Sequence, residues 1–144
     1  MPVHAWMLTA LLLTGPAPCD NPAYRQDLDT QCMKLVGNGE SLLKAAVKVE
    51  KTGDLKAAAA QYAEAYRNLR AGLDFTRRPD VHVFNETVIR LFTVRMTEAC
   101  GRLERVLAQL GGTAEDIQKQ VRALEDAADE EMRTRVDCFL KSRE

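Results

Sequence analysis

Residues 55–74 read LKAAAAQYAEAYRNLRAGLD, and their periodicity decides the fold class. Leu55, Ala58, Ala59, Tyr62, Ala65, Tyr66, Leu69 and Leu73 recur at intervals of three and four, the spacing that keeps side chains on one face of an α-helix. Gly53 supplies a stop before this helix and Asp54 an N-cap. No segment of the chain alternates with period two while carrying enough Val, Ile or Thr to form a sheet, so the expected class is all-α.

Working outward, the same period organises the flanks. A first helix is expected from about Tyr24 or Thr30 to Glu50, with Leu35, Leu42, Ala46 and Val49 on one face, although Gly37 and Gly39 weaken its first half. Pro79 disfavours helix at Arg78, and Asp80 can cap a third helix beginning at about Val81 along Phe84, Val88, Phe92, Met96, Ala99, Leu103 and Val106. Gly111 and Gly112 end it. Thr113 to Asp116 resembles a capping box and opens a fourth helix along Ile117, Val121, Leu124, Ala128, Met132, Val136 and Phe139. Short turns make sequential helices antiparallel neighbours, so the expected architecture is an antiparallel helical bundle of about four helices, with an open stack of two hairpins as the alternative.

The chain has 144 residues, 46% of them apolar, enough for one modest core. A formal net charge of -1 argues against wholesale binding to nucleic acid or to an acidic membrane. Residues 1–19 contain no Asp, Glu, Lys or Arg, and residues 5–14 (AWMLTALLLT) form an apolar run too short to span a bilayer. Residues 1–18 are therefore expected to be a signal peptide or apolar leader and residues 19–144 a single α-helical domain, secreted or periplasmic. Any membrane proximity would come through the N-terminal segment, with a lipid-modified Cys19 as one option.

Four cysteines in a small exported chain suggest disulfides. The spacings from Cys19 to Cys32 and from Cys100 to Cys138 match no zinc pattern, and there is no CxxC. Folding four helices into a bundle brings Cys32 and Cys138 to similar heights, so the favoured pairing is Cys32 with Cys138, which leaves Cys100 as a free buried thiol. The sequential pairing, Cys19 with Cys32 and Cys100 with Cys138, stays open.

Around the Gly53-Asp54 turn, Leu42 and Ala46 precede and Ala58, Tyr62 and Ala65 follow at places occupied by bulky, small, small, aromatic and small residues in a tetratricopeptide (TPR) repeat. Residues 39–71 thus resemble a single TPR hairpin. Arg70 stands where a repeat-ending proline is common, and no second copy follows at a 34-residue period. The resemblance implies protein or peptide binding on a helical face. A looser one connects residues 96–103 (MTEACGRL) to the third-cysteine region of plant invertase and pectin methylesterase inhibitors, from which the N-terminal cysteine spacing departs.

Little in the chain suggests reaction chemistry. His4 and His82 are the only histidines, so the carboxylates crowded on the fourth helix lack the Glu-x-x-His partners of a di-metal site, and no cofactor or metal is expected. Asp129 with Arg133 and Glu131 with Arg135 are expected as i,i+4 pairs on a solvated face. Tyr62 and Tyr66 read as core. Asn85-Glu86-Thr87 spells a glycosylation sequon but falls inside the expected third helix. Arg67, Arg70, Arg77 and Arg78 gather toward one end of the bundle and are the candidate partner-binding residues. The expected role is not enzymatic: an exported scaffold or adaptor domain that binds a protein partner, with a small secreted helical inhibitor of a partner enzyme as the alternative.

Overall fold

A computed structural model describes residues 17–144. Two short 3-10 turns, Pro18–Asp20 and Pro22–Arg25, lead into four α-helices: α1 (Leu28–Lys51), α2 (Leu55–Phe75), α3 (Glu86–Gln109) and α4 (Ala114–Ser142). Among the described residues the fold is all-α, as expected. The leader falls almost wholly in residues 1–16, outside the described part.

Each helix begins where a short polar side chain can satisfy an otherwise unpaired amide. Asp27, Asp54, Asn85 and Thr113 accept hydrogen bonds from the amides of Thr30, Ala57, Val88 and Asp116 at 2.9, 3.1, 2.9 and 3.1 Å. Gly53 and Gly111 adopt positive φ in the turns that follow α1 and α3. The third helix starts five residues later than expected, because Asn85 caps it and Asp80 does not. Asp80 instead pairs with Arg78 at 3.0 Å. The chain between them is held down by Val81, which is buried with Leu28, Leu35, Phe75 and Val136.

The helices are arranged around α2, which packs against the other three, while α3 and α4 meet only sparsely and α1 and α3 hardly at all. α2 is accordingly buried on more than one side. Ala58, Ala65 and Ala71 are fully buried along with Tyr62, Leu69 and Phe75. The closest approach is between α1 and α2. A Cβ on Gly39 would lie 2.5 Å from Leu69 Cγ and 3.0 Å from the Leu69 amide nitrogen, and one on Gly72 would lie 2.7 Å from Val36 Cγ2. Gly39, which looked like a weakness in the helix, is where the two backbones come together. Gly37 faces open space.

The disulfide joins Cys19 to Cys138, with Cα atoms 5.1 Å apart, and not Cys32 to Cys138. Similar heights would pair Cys32 with Cys138 only if α1 and α4 were packed neighbours. In fact α4 lies on α2, and the N-terminal turns fold back along its C-terminal part. Tyr24 sits there under the Arg135 guanidinium, 4.4 Å from its ring centroid. Cys32 is instead fully buried, its thiol donating to the Gly72 carbonyl at 3.2 Å, and Cys100 is a second free thiol. The sequential pairing is excluded for the same reason. With its sulfur in the disulfide, Cys19 has none left for a lipid thioether.

Three substitutions test this packing by urea unfolding. Gly39→Ala should lower stability by about 1–3 kcal/mol through overpacking, whereas Gly37→Ala should be neutral or raise it by up to about 1 kcal/mol. Cys138→Ser, which opens a disulfide of sequence separation 119, should cost about 2–5 kcal/mol.

Candidate functional site

The four arginines expected to bind a partner do not form one free patch. Arg67 pairs with Glu64 on its own helix at 2.7 Å and with Glu131 on α4. Arg70 reaches Glu125 at 3.4 Å and Asp129 at 3.3 Å, also on α4. Arg78 is tied to Asp80, and Arg77 extends into solvent with 85% of its side chain exposed. Arg67 and Arg70 are thus committed to holding α4 on α2. Tyr66 joins them, donating its hydroxyl to Glu125 at 2.7 Å; burial, then the Glu125 carboxylate, pushes that hydroxyl's pKa well above its ordinary value. Both tyrosines belong to the core, as expected.

The acidic run on α4 is divided: Asp126 and Glu130 face solvent, whereas Glu125, Asp129 and Glu131 turn to arginines of α2. Glu131 does pair with Arg135 at 2.8 Å, but both side chains are largely buried, at 13% and 14% exposure. Arg135 also donates to Gln31 Oε1 at 3.2 Å. Asp129 turns to Arg70, and Arg133 pairs with Glu130 at 3.1 Å. The α2–α4 seam is therefore a ladder of charge-assisted hydrogen bonds between helices.

What remains open is a furrow between α1 and α3. Both helices rest on α2 without closing on each other, and two ionic bridges cross the gap. Arg95 reaches Glu40 at 3.5 Å and Arg105 reaches Glu50 at 2.9 Å. The bridges are ten residues apart on both helices, so α1 and α3 run parallel and in register. Leu43 and Val47 line the furrow, and Lys44, Lys48, Lys51, Arg95 and Arg102 stand along it against two carboxylates, Glu40 and Glu98. At one end Tyr62 donates its hydroxyl to Glu50 at 2.5 Å. That bond first, and Arg105 second, hold the Glu50 carboxyl below its ordinary pKa of 4.5.

His82 is at the surface, and its backbone amide donates to Asp29 at 2.9 Å. Burial pushes the Cys32 thiol up to about 12 and the Cys100 thiol up to about 11, so both stay protonated near neutral pH. Among the described residues, no group of three or more His, Cys, Asp or Glu side chains could hold a metal ion, and no helix is long and apolar enough to cross a membrane. Asn85 is exposed and caps α3, so the sequon lies at the helix start and not inside it.

No family model, curated protein or solved structure matches the chain. The furrow's cations were not singled out from sequence, although Lys44, Lys48 and Lys51, and Arg95 with Arg102, each repeat with helical spacing. That spacing becomes informative only once α1 and α3 are known to flank one gap.

Two carboxylates can be tested by urea unfolding. Glu131→Gln, which leaves Arg67 and Arg135 without their shared partner, should cost about 2 kcal/mol. Glu50 has a folded-state pKa depressed below its unfolded value, so its contribution is complete above about pH 4.5 and is lost as pH falls through the lowered value. Glu50→Gln should therefore be less stable than the parent at pH 7, with the difference shrinking when both are measured at pH 3.

Proposed function

We propose that this chain is an exported α-helical domain that acts by binding another protein along the furrow between α1 and α3. The observation that carries the reading is the furrow itself: a narrow apolar strip of half-buried Val47 beside the nearly buried Leu43, with a cationic margin, where two helices share a third as their support. Such a surface fits the helix-in-groove mode of recognition. The uncharged N-terminal leader and the Cys19–Cys138 disulfide both favour an oxidising compartment, secreted or periplasmic. The close α1–α2 hairpin, with Ala58, Tyr62 and Ala65 buried in it, is in keeping with a TPR-like unit used for protein binding. Arg67 and Arg70 support that surface from behind by holding α4, and of the four arginines Arg77 is the most available for direct contact.

Site-specific photo-crosslinking in the native host tests the reading. A photoreactive residue at Val47 should give a discrete adduct of higher mass that a photoreactive residue at Ala127, exposed on α4, does not give. Equal adducts from both positions, or none from Val47, would remove the furrow as the binding surface. Fractionation with intact-mass measurement should find the chain outside the cytosol, shortened at its N-terminus and two hydrogen atoms lighter for its disulfide. Recovery from cytosol with Met1 present and all thiols reduced would end the proposal of export.

A further inference from the structure

We infer that the occupant of the α1–α3 furrow is an acidic amphipathic helix of a partner protein, an inference that rests on the interaction reading above and adds the chemistry of the partner. The furrow has two properties that select for such a segment. Its length is set by the ionic bridges at Glu40–Arg95 and Glu50–Arg105, ten residues or about 15 Å apart at the helical rise. About three turns of helix fit between them, enough to seat two or three apolar side chains at i, i+3 or i+4, and i+7 on Leu43 and Val47.

The charge is unbalanced in one direction. Lys44, Lys48, Lys51, Arg95 and Arg102 line the furrow with Glu40 and Glu98. Those carboxylates are already engaged by other members of the set: Glu40 by Arg95 and, at 3.9 Å, Lys44; Glu98 by Arg102 at 2.9 Å and Arg95 at 3.9 Å. Among the described residues, Lys48 and Lys51 pair with no carboxylate, and both are exposed on the α1 side of the gap. A neutral or basic helix would leave that excess uncompensated. An acidic one complements it, speeds encounter and fixes orientation. Because these cations are solvent-facing, the attraction is screened within roughly 10 Å at 0.1 M salt and binding should weaken as salt rises.

The experiment uses the full oxidised chain and a fluorescein-labelled synthetic peptide of about three helical turns, the length that fits between the bridges, with leucines on one face and glutamates flanking them. A second peptide carries glutamine in place of each glutamate. Fluorescence anisotropy should show the acidic peptide binding at least about tenfold tighter than the glutamine peptide at low salt, with the difference narrowing as salt is raised. The double substitution Lys48→Glu with Lys51→Glu should abolish that preference while circular dichroism shows the helical fold retained, a modest loss of stability in urea being expected because both lysines lie in the last turn of α1. Lys119→Glu on α4 should leave the preference intact. Equal affinity for the two peptides, or binding of neither, would overturn the inference. So would binding to vesicles of anionic lipid with the same lysine dependence and no peptide binding, or self-association of the chain that those substitutions abolish. If the peptide fails while photo-crosslinking from Val47 still captures a partner, only the acidic-helix assignment falls and the furrow keeps its role.

Discussion

The rest of the structure depends on how closely α1 can approach α2. At Gly39 and Gly72 there is no room for a Cβ between the two backbones, and the alanines of α2 keep its remaining faces narrow. A helix with large residues all round would hold its neighbours apart and expose the gaps between them. This one is thin enough for three helices to share. Tyr62, Leu69 and Phe75 then fill the space beyond the contact points. The furrow is a consequence of the same arrangement, since α1 and α3 both rest on α2 and neither needs the other to bury its apolar face.

α4 is attached by different physics. It runs from Ala114 to Ser142, yet its buried residues are only Ile117, Ala128, Val136 and Cys138. Val121, Leu124, Met132 and Phe139 add only partial burial, so apolar contact alone is a modest hold on so long a helix. The deficit is made up at the seam by Arg67, Arg70 and Arg135 with their carboxylates, and at the far end by the bond to Cys19. Arg67 and Arg70 came from a cluster that looked like a docking patch, and their partners on α4 from an acidic run that looked solvated. Each set is the other's counter-charge. Arg70, Glu125 and Asp129 stay partly exposed while Glu131 and Arg135 are enclosed, so desolvation offsets the attraction chiefly at the enclosed pair, and the seam both fixes the position of α4 and helps to hold it.

Periodicity made the four helices legible, and the capping residues Asp54 and Thr113 were legible with them, because both signals are local. The same local logic failed at Asn85, where a loop of ten residues competes with helix on terms set by Val81 settling into a distant cluster. It failed again at Cys19. The return of the N-terminal turns along α4 depends on contacts such as Tyr24 with Arg135, which are 111 positions apart and carry no sequence period.

Residue order by itself therefore determined the all-α class, the number of helices, two of the three connections between them and the core identity of Tyr62 and Tyr66, since each follows from spacing within a few residues along the chain. Only the tertiary structure decided that α2 is central, that Cys138 bonds to Cys19, that Arg67 and Arg70 face inward, and that five cations from two helices line one gap. Those outcomes turn on which faces meet across the fold, and that depends on the close approach of α1 and α2 at Gly39 and Gly72, where a Cβ would come within 3.0 Å of the neighbouring helix, which no local pattern encodes.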